Sequence, residues 1–165
     1  MREIRCSGHA SRLRLALYQP DIAQNTGTML RLAACLGFAV DVVQPTGFDM
    51  SDRALRRAAL DYLDHVELRR HTSWSDFEDW RRKSGRRLVL LTTQAEVDYL
   101  DHTFAPGDVL MVGRESAGVP ETVHRAADAR LKISIRPPLR SLNVAVAAAM
   151  VLGEALRQLR SCSPA

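Results

Sequence analysis

Three short segments carry residue types and spacings that could do chemistry. The first is Asn25-Thr26-Gly27-Thr28-Met29-Leu30-Arg31, at the start of a helix-period stretch that follows an apolar run. Asn25 is a residue type that caps helices, Gly27 allows another backbone to approach, and Arg31 lies one turn beyond Gly27 on the same face. An arginine above an open helix N-terminus is suited to holding phosphate. The same residues also read as a capped helix with a solvated arginine. The second segment, Val112-Gly113-Arg114-Glu115-Ser116-Ala117-Gly118-Val119-Pro120, again follows an apolar run. A glycine at a parallel strand end, leading through a loop into a helix, is where open α/β sheets take ligands. Gly113 and Gly118 have phosphate-loop spacing, but Val119-Pro120 stand where nucleotide chemistry needs Lys-Ser/Thr. Arg114 stands two before Ser116, where a nucleophile elbow needs glycine. G-x-G-x-x-G occurs nowhere, so nucleotide hydrolase, serine hydrolase and classical dehydrogenase chemistry are disfavoured. In the third segment Arg140-Ser141-Leu142-Asn143 follow Pro137-Pro138. A rigid loop there ends in two small polar side chains that can cap a helix or face a ligand at its positive end.

No metal chemistry is legible. The five histidines form no H-x-x-x-H pair, and Cys6, Cys35 and Cys162 are unclustered. An odd, scattered set of cysteines fits a reducing cytosol better than a disulfide scaffold or a zinc site. The net charge is +4, and of 23 basic residues all but Lys83 and Lys132 are arginine. Arginine's planar fork suits phosphate, so the balance permits a polyanionic partner; a solvated arginine-rich surface would look the same. No window approaches the length of a transmembrane span, and Met1-Arg2-Glu3-Ile4-Arg5 lacks the apolar stretch of a secretory signal. A cytoplasmic protein is expected.

The elements that must position these segments alternate between apolar runs and helix-period stretches, which predicts an α/β domain with a mostly parallel sheet flanked by helices. Strands are predicted at Leu13 to Tyr18, Ala39 to Pro45, His65 to Arg70, Leu88 to Thr93, Asp108 to Gly113 and Leu131 to Ile135. Helices are predicted at about Asn25 to Leu36, ended by Gly37, from Ser51 or Asp52 to about Leu60, and from Ser73 to Lys83. Two more follow near Glu121 to Ala127 and from about Asn143 to Leu159. Residues 1–12 read as a basic extension and 13–165 as one domain. The last helix is apolar on nearly every face over its first half, which suggests burial in a dimer interface or deep in a monomer.

Taken together and in order, Asn25-Thr26-Gly27 with Arg31, Gly113-x-Glu115-x-x-Gly118, and Ser141-Leu142-Asn143 resemble the three motifs of the SPOUT class of RNA methyltransferases. Pro45 to Tyr62 and Leu91 to Thr93 resemble the branch that methylates the wobble ribose of tRNA, the TrmL-like tRNA (cytidine/uridine-34 2′-O)-methyltransferases. The resemblance runs from about Leu13 to Leu159. It implies an α/β fold whose C-terminal part is tied in a trefoil knot, although knots are almost absent from proteins. It also implies a homodimer packed through the first and last helices. S-adenosylmethionine would lie bent in the knot, against backbone at Leu91, Thr92, Gly113, Ile133 and Leu142, with Ser141 nearby. Glu115 and Asn143 would hold the knot loops in shape. Asn25 and Arg31 would face the substrate, with Arg31 reaching the reacting ribose or its phosphate.

A sulfonium leaves as a neutral thioether, so methyl transfer needs alignment and proton removal rather than a metal. S-adenosylhomocysteine would be the product, and the anticodon stem-loop of tRNA the partner. The 2′-hydroxyl is the group that separates RNA from DNA. Arg53, Arg56 and Arg57, with Arg136 and Arg140 flanking the third motif, are candidates for phosphate contact. Where relatives usually carry an asparagine and a tyrosine along the last helix, this chain has Val146 and Gly153. Two alternatives therefore stand beside wobble methylation: 2′-O-methylation of another RNA such as ribosomal RNA, and a non-catalytic RNA-binding dimer.

Overall fold

In a computed structural model, residues 13–161 are described, and among them seven strands form one sheet. The strands are β1 (Arg14–Tyr18), β2 (Ala39–Val43), β3 (Leu68–His71), β4 (Leu88–Leu91), β5 (Val97–Asp98), β6 (Val109–Val112) and β7 (Ala129–Lys132). Their order is β3-β2-β1-β6-β4-β7-β5, and every pairing is parallel. The helices are α1 (Ala23–Leu36), α2 (Asp52–Ala59), α3 (Trp74–Lys83), α4 (Glu121–Ala126) and α5 (Val144–Ser161). The expected basic extension over 1–12, Cys6 and Cys162 lie outside the described residues.

The apolar strand runs follow from burial on both faces of a parallel sheet. Successive side chains point to opposite faces, so each run feeds two cores. Leu15, Leu17, Val40, Val42, Val89, Leu110 and Val112 pack with Met29 and Leu30 of α1 and with Ala148, Val151 and Leu152 of α5. Ala16, Tyr18, Leu88, Leu90, Val109 and Met111 pack on the other face with Phe77 of α3 and Val123 of α4. Each fully buried leucine or valine contributes about 1.5–3 kcal/mol.

Several boundaries differ from the sequence reading, for physical reasons. The third strand begins at Leu68 rather than His65, because residues 60–65 form a 3₁₀ turn that continues α2. The last long strand is Ala129–Lys132 rather than Leu131 to Ile135, so Ile133 to Ile135 leave the sheet. The two-residue β5, paired with Leu131 and Lys132 of β7, is too short to show a period and was not expected. Gly37 ends α1 as predicted, with its N–H bonded to the Ala33 carbonyl.

Two unpredicted contacts fix the frame. Asp41, in the middle of β2, is completely buried, accepts from Arg14 Nε at 2.6 Å and pairs with His71 Nε2 at 2.8 Å. Gly27 meets α2 at the backbone: a Cβ there would lie 2.3 Å from the Ala58 carbonyl oxygen. The second backbone that Gly27 admits is therefore a neighbouring helix.

Candidate active site

Strand order reverses around β1 and β6: the chain runs outward from β1 to β3, then crosses to β4 on the far side of β6. Open parallel sheets hold ligands at such a point, beyond the carboxyl ends of the strands. A cleft of about 500 Å³ lies there, within the range of small-molecule sites. Leu91 and Thr92 reach it from the end of β4, Gly113 and Glu115 from the loop after β6, and Ile133 from the end of β7. Ser141, Leu142 and Asn143 line it just before α5, and Asn25 lines it from α1.

The loop after β6 explains the spacing of its glycines. Arg114 and Gly118 exchange both backbone hydrogen bonds, at 3.0 and 2.8 Å, which folds residues 115–117 into a tight tip. A Cβ on Gly113 would sit 2.7 Å from the Gly118 carbonyl carbon, so the two can close only without one. The tip presents Glu115 to α1. Glu115 Oε1 accepts from Asn25 Nδ2 at 3.1 Å, and Asn25 Oδ1 accepts from Asn143 Nδ2 at 3.0 Å. The amide oxygen of Asn143, Oδ1, caps α5, accepting from the N–H groups of Ala145 at 2.9 Å and Val146 at 3.3 Å. The three segments singled out by spacing are thus joined through one row of polar side chains.

Asn25 is not a helix cap. It is the third residue of α1, whose N-cap position is Ile22. Its amide is both donor and acceptor across the fold, which leaves it no oxygen for its own helix end. Asp21, just before α1, completes the tie. Its N–H donates to Glu115 Oε2 at 3.0 Å, and its Oδ1 accepts from the Glu115 N–H at 3.1 Å. Hydrogen bonding with Glu115 and with the Ser116 hydroxyl holds the Asp21 carboxyl down to about 2. On the opposite wall Asp98 of β5 accepts from the N–H of Ser134 at 3.0 Å and its hydroxyl at 2.6 Å, fixing the segment that carries Ile133. Those bonds keep the Asp98 carboxyl below the usual range.

The expected cationic residues do not line the cleft. Arg31 lies six residues after Asn25 on α1, about 9 Å further along the helix. Its guanidinium carbon stands 4.7 Å from the centroid of the Tyr62 ring. Arg136 and Arg140 are exposed on the loop before the third segment, outside the cleft. Arg56, one of the phosphate candidates, forms a two-bond pair with Asp64 at 3.0 and 2.9 Å.

Residues 12–153 match the model of the SpoU rRNA Methylase family. The chain belongs to the SpoU methylase family. This SpoU methylase is 65% identical over 145 residues to a tRNA (cytidine(34)-2'-O)-methyltransferase of Beijerinckia indica, covering 88% of this chain and 91% of the relative. It is 36% identical to the protein of that name from Escherichia coli K12, over 89% of this chain and 94% of the relative. A solved structure described as "Structural insights into the 2-OH methylation of C/U34 on tRNA" superposes with a TM-score of 0.86 at 41% identity, covering 92% of this chain and 99% of the other. The SpoU methyltransferase AviRb from Streptomyces viridochromogenes, in complex with AdoMet, superposes with a TM-score of 0.83 at 28% identity. It is longer: this chain covers 61% of it.

In this SpoU methylase the cleft has members that sequence reasoning missed. Ile135 and Ala147 supply apolar wall, beside Val112 and Val119 of the second segment, and Gln94 and His124 supply polar edge. Gln94 continues the Leu91 to Thr93 segment and was within reach of inference; His124 carries no local signal. Asp21 sits beside the first motif but has no signature of its own. Val146 is exposed on α5, and a Cβ at Gly153 would meet nothing within 4 Å, so both departures fall on an open helix face. No helix among the described residues is long and apolar enough to cross a membrane. Nor do any three His, Cys, Asp or Glu side chains among them cluster as metal ligands would.

Proposed function

We propose that this SpoU methylase transfers the methyl group of S-adenosylmethionine to the ribose 2′-hydroxyl of the wobble nucleotide, cytidine or uridine 34, of tRNA in the cytoplasm. The observation that carries the reading is the Glu115–Asn25–Asn143 row, which closes one cleft from all three motif segments. The cleft suits the cofactor chemically. Apolar walls from Leu91, Val112, Ile133 and Leu142 fit a flat adenine, and the strand ends offer backbone donors and acceptors to its edges and to the amino-acid tail. When bound, S-adenosylmethionine would supply an electrophilic methyl on a sulfonium, leaving S-adenosylhomocysteine, while the hydroxyl proton passes to a water or to a substrate phosphate held by Arg31.

The chain's own task is then alignment and charge. Backbone at Leu91, Thr92, Gly113, Ile133 and Leu142, with Ser141, holds the cofactor, while Glu115 and Asn143 fix the loops. Alignment of this kind is worth of the order of 7–11 kcal/mol in the best intramolecular cases. Arg31 favours the developing alkoxide electrostatically. A guanidinium has five donors and no acceptor, so it acts as fixed charge rather than as the base. Asn25, Arg136 and Arg140 contact the anticodon stem-loop, the two arginines at phosphates.

A homodimer through α1 and α5 belongs to the same reading. Val146 and Met150 are exposed on one face of α5, and Leu36 at the end of α1 and Ile22 at its N-cap are exposed too. Arg31 lies outside the cleft of its own chain, so the dimer brings one copy's Arg31 to the other copy's cleft. The C-terminal trefoil knot is part of the proposal too, as the family resemblance implies it. The 65% identity to a tRNA (cytidine(34)-2'-O)-methyltransferase and the likeness to the structure concerned with C/U34 support tRNA over ribosomal RNA.

The test is transfer of labelled methyl from S-adenosylmethionine to unmodified tRNA and to ribosomal RNA, followed by alkaline hydrolysis. A ribose 2′-O-methyl blocks cleavage of the adjoining phosphodiester, so label should remain in an alkali-resistant dinucleotide from tRNA. Label recovered in a mononucleotide would mean base methylation, and label in ribosomal RNA alone would move the substrate.

A further inference from the structure

The segment Pro45 to Tyr62 has no place in the cleft, yet its last residue touches the residue on which the proposed chemistry turns. Arg31 and Tyr62 each lie four residues beyond the point where α1 and α2 meet backbone to backbone, at Gly27 and Ala58. The Tyr62 ring, half-buried on the 3₁₀ turn after α2, supports the exposed Arg31 guanidinium at 4.7 Å.

Arg14 and Arg69 also lie over an aromatic ring, that of Trp80, at 5.1 and 4.9 Å, but several arginines are held by carboxylates. Arg14 is bonded to Asp41, Arg81 to Glu78, and Arg56 to Asp64. A carboxylate that positions a guanidinium also occupies its donors and offsets its charge. An aromatic face orients the same group through its quadrupole and leaves the N–H donors available. Among the described residues no carboxylate forms an ion pair with Arg31. A residue that must give charge and donors to a ribose or phosphate needs this second kind of support.

We propose that Tyr62 is a positioning residue for methyl transfer, holding the Arg31 guanidinium by its ring face so that charge and donors stay free for the RNA. The inference rests on the reading that Arg31 acts on the substrate. In the full-length protein, with unmodified tRNA as substrate, Tyr62→Phe should keep near-normal kcat, because the ring remains. Tyr62→Leu should lower kcat about two- to fivefold, with cofactor Kd unchanged. Packing loss could also slow that variant, so the decisive series places phenylalanine, then its mono-, di- and trifluorinated forms, at position 62. Fluorine drains the ring face with little change of shape. A stepwise fall in kcat along the series is expected. A flat series overturns the role of Tyr62. Arg31→Ala separates the failures: loss of transfer beside a flat series condemns only Tyr62, whereas retained transfer removes Arg31 and Tyr62 together.

Discussion

Asn143 does two jobs with one amide: its oxygen caps α5, and its nitrogen holds Asn25, which in turn holds Glu115. Asn143→Ala should therefore cost about 1 kcal/mol of stability from the lost cap. It should also weaken S-adenosylmethionine binding about tenfold, the size expected for losing one well-placed hydrogen bond. Thermal melts and cofactor titration check the two effects, and undiminished binding would show the row to be incidental. Asp21 gives a pH signature. Its carboxyl lies at about 2 in the folded chain, against an ordinary 3.8. A depressed carboxylate contributes stability above its unfolded pKa and loses that contribution as pH falls through the folded value. The melting difference between the wild type and Asp21→Asn should thus be constant above about pH 5 and close as pH falls from about 4 to 2. A difference independent of pH would place the effect elsewhere. The motif resemblance picks out Asn25, Glu115 and Asn143, and the three meet at the cleft. Their partnership was not legible, because the bonds span 90 and 118 residues. Asn25 looked like a cap because local sequence shows only local partners.

At the scale of elements, the apolar runs marked β1, β2, β4 and β6 because burial on both faces leaves a continuous signal. Strands escaped or shifted where period says least: two-residue β5, β3, whose expected start is taken by the 3₁₀ turn, and β7, where apolar Ile133 and Ile135 line the cleft instead of the sheet. Asp41 was hidden for the opposite reason, since a carboxylate within an apolar run gives no hint of its partners. Its bonds to Arg14 and His71 tie β1, β2 and β3 together. Removing one member of a buried ionic group leaves the others uncompensated. Asp41→Ala should lower stability by about 3–5 kcal/mol in urea unfolding. A loss below about 1 kcal/mol would mean that water enters and replaces it. None of Arg14, Asp41 and His71 lines the cleft, so cofactor affinity should hold wherever the variant is folded.

For the whole molecule, strand order decides where the motifs meet, and nothing local encodes that order. The crossover from β3 to β4 brings the strand ends together, and the last loop and helix close the cleft. The sequence does carry the surplus of apolar residues on α5, and the exposed Val146 and Met150 are what that surplus leaves outside. If α1 of one copy serves the cleft of the other, co-expressed Arg31→Ala and Asn143→Ala chains should form mixed dimers with one intact site. At S-adenosylmethionine concentrations that load wild-type sites but leave Asn143→Ala sites largely empty, activity should then return to about half the wild-type value in isolated mixed dimers, since one site of two is whole. No recovery would place Arg31 and Asn143 in the same chain's site. The central claim, methylation of the wobble ribose, is met most directly by two tRNA transcripts identical except for a 2′-deoxyribose at position 34. The wild-type protein should methylate the ribonucleotide form and leave the deoxy form unlabelled. Equal labelling of both would contradict the claim.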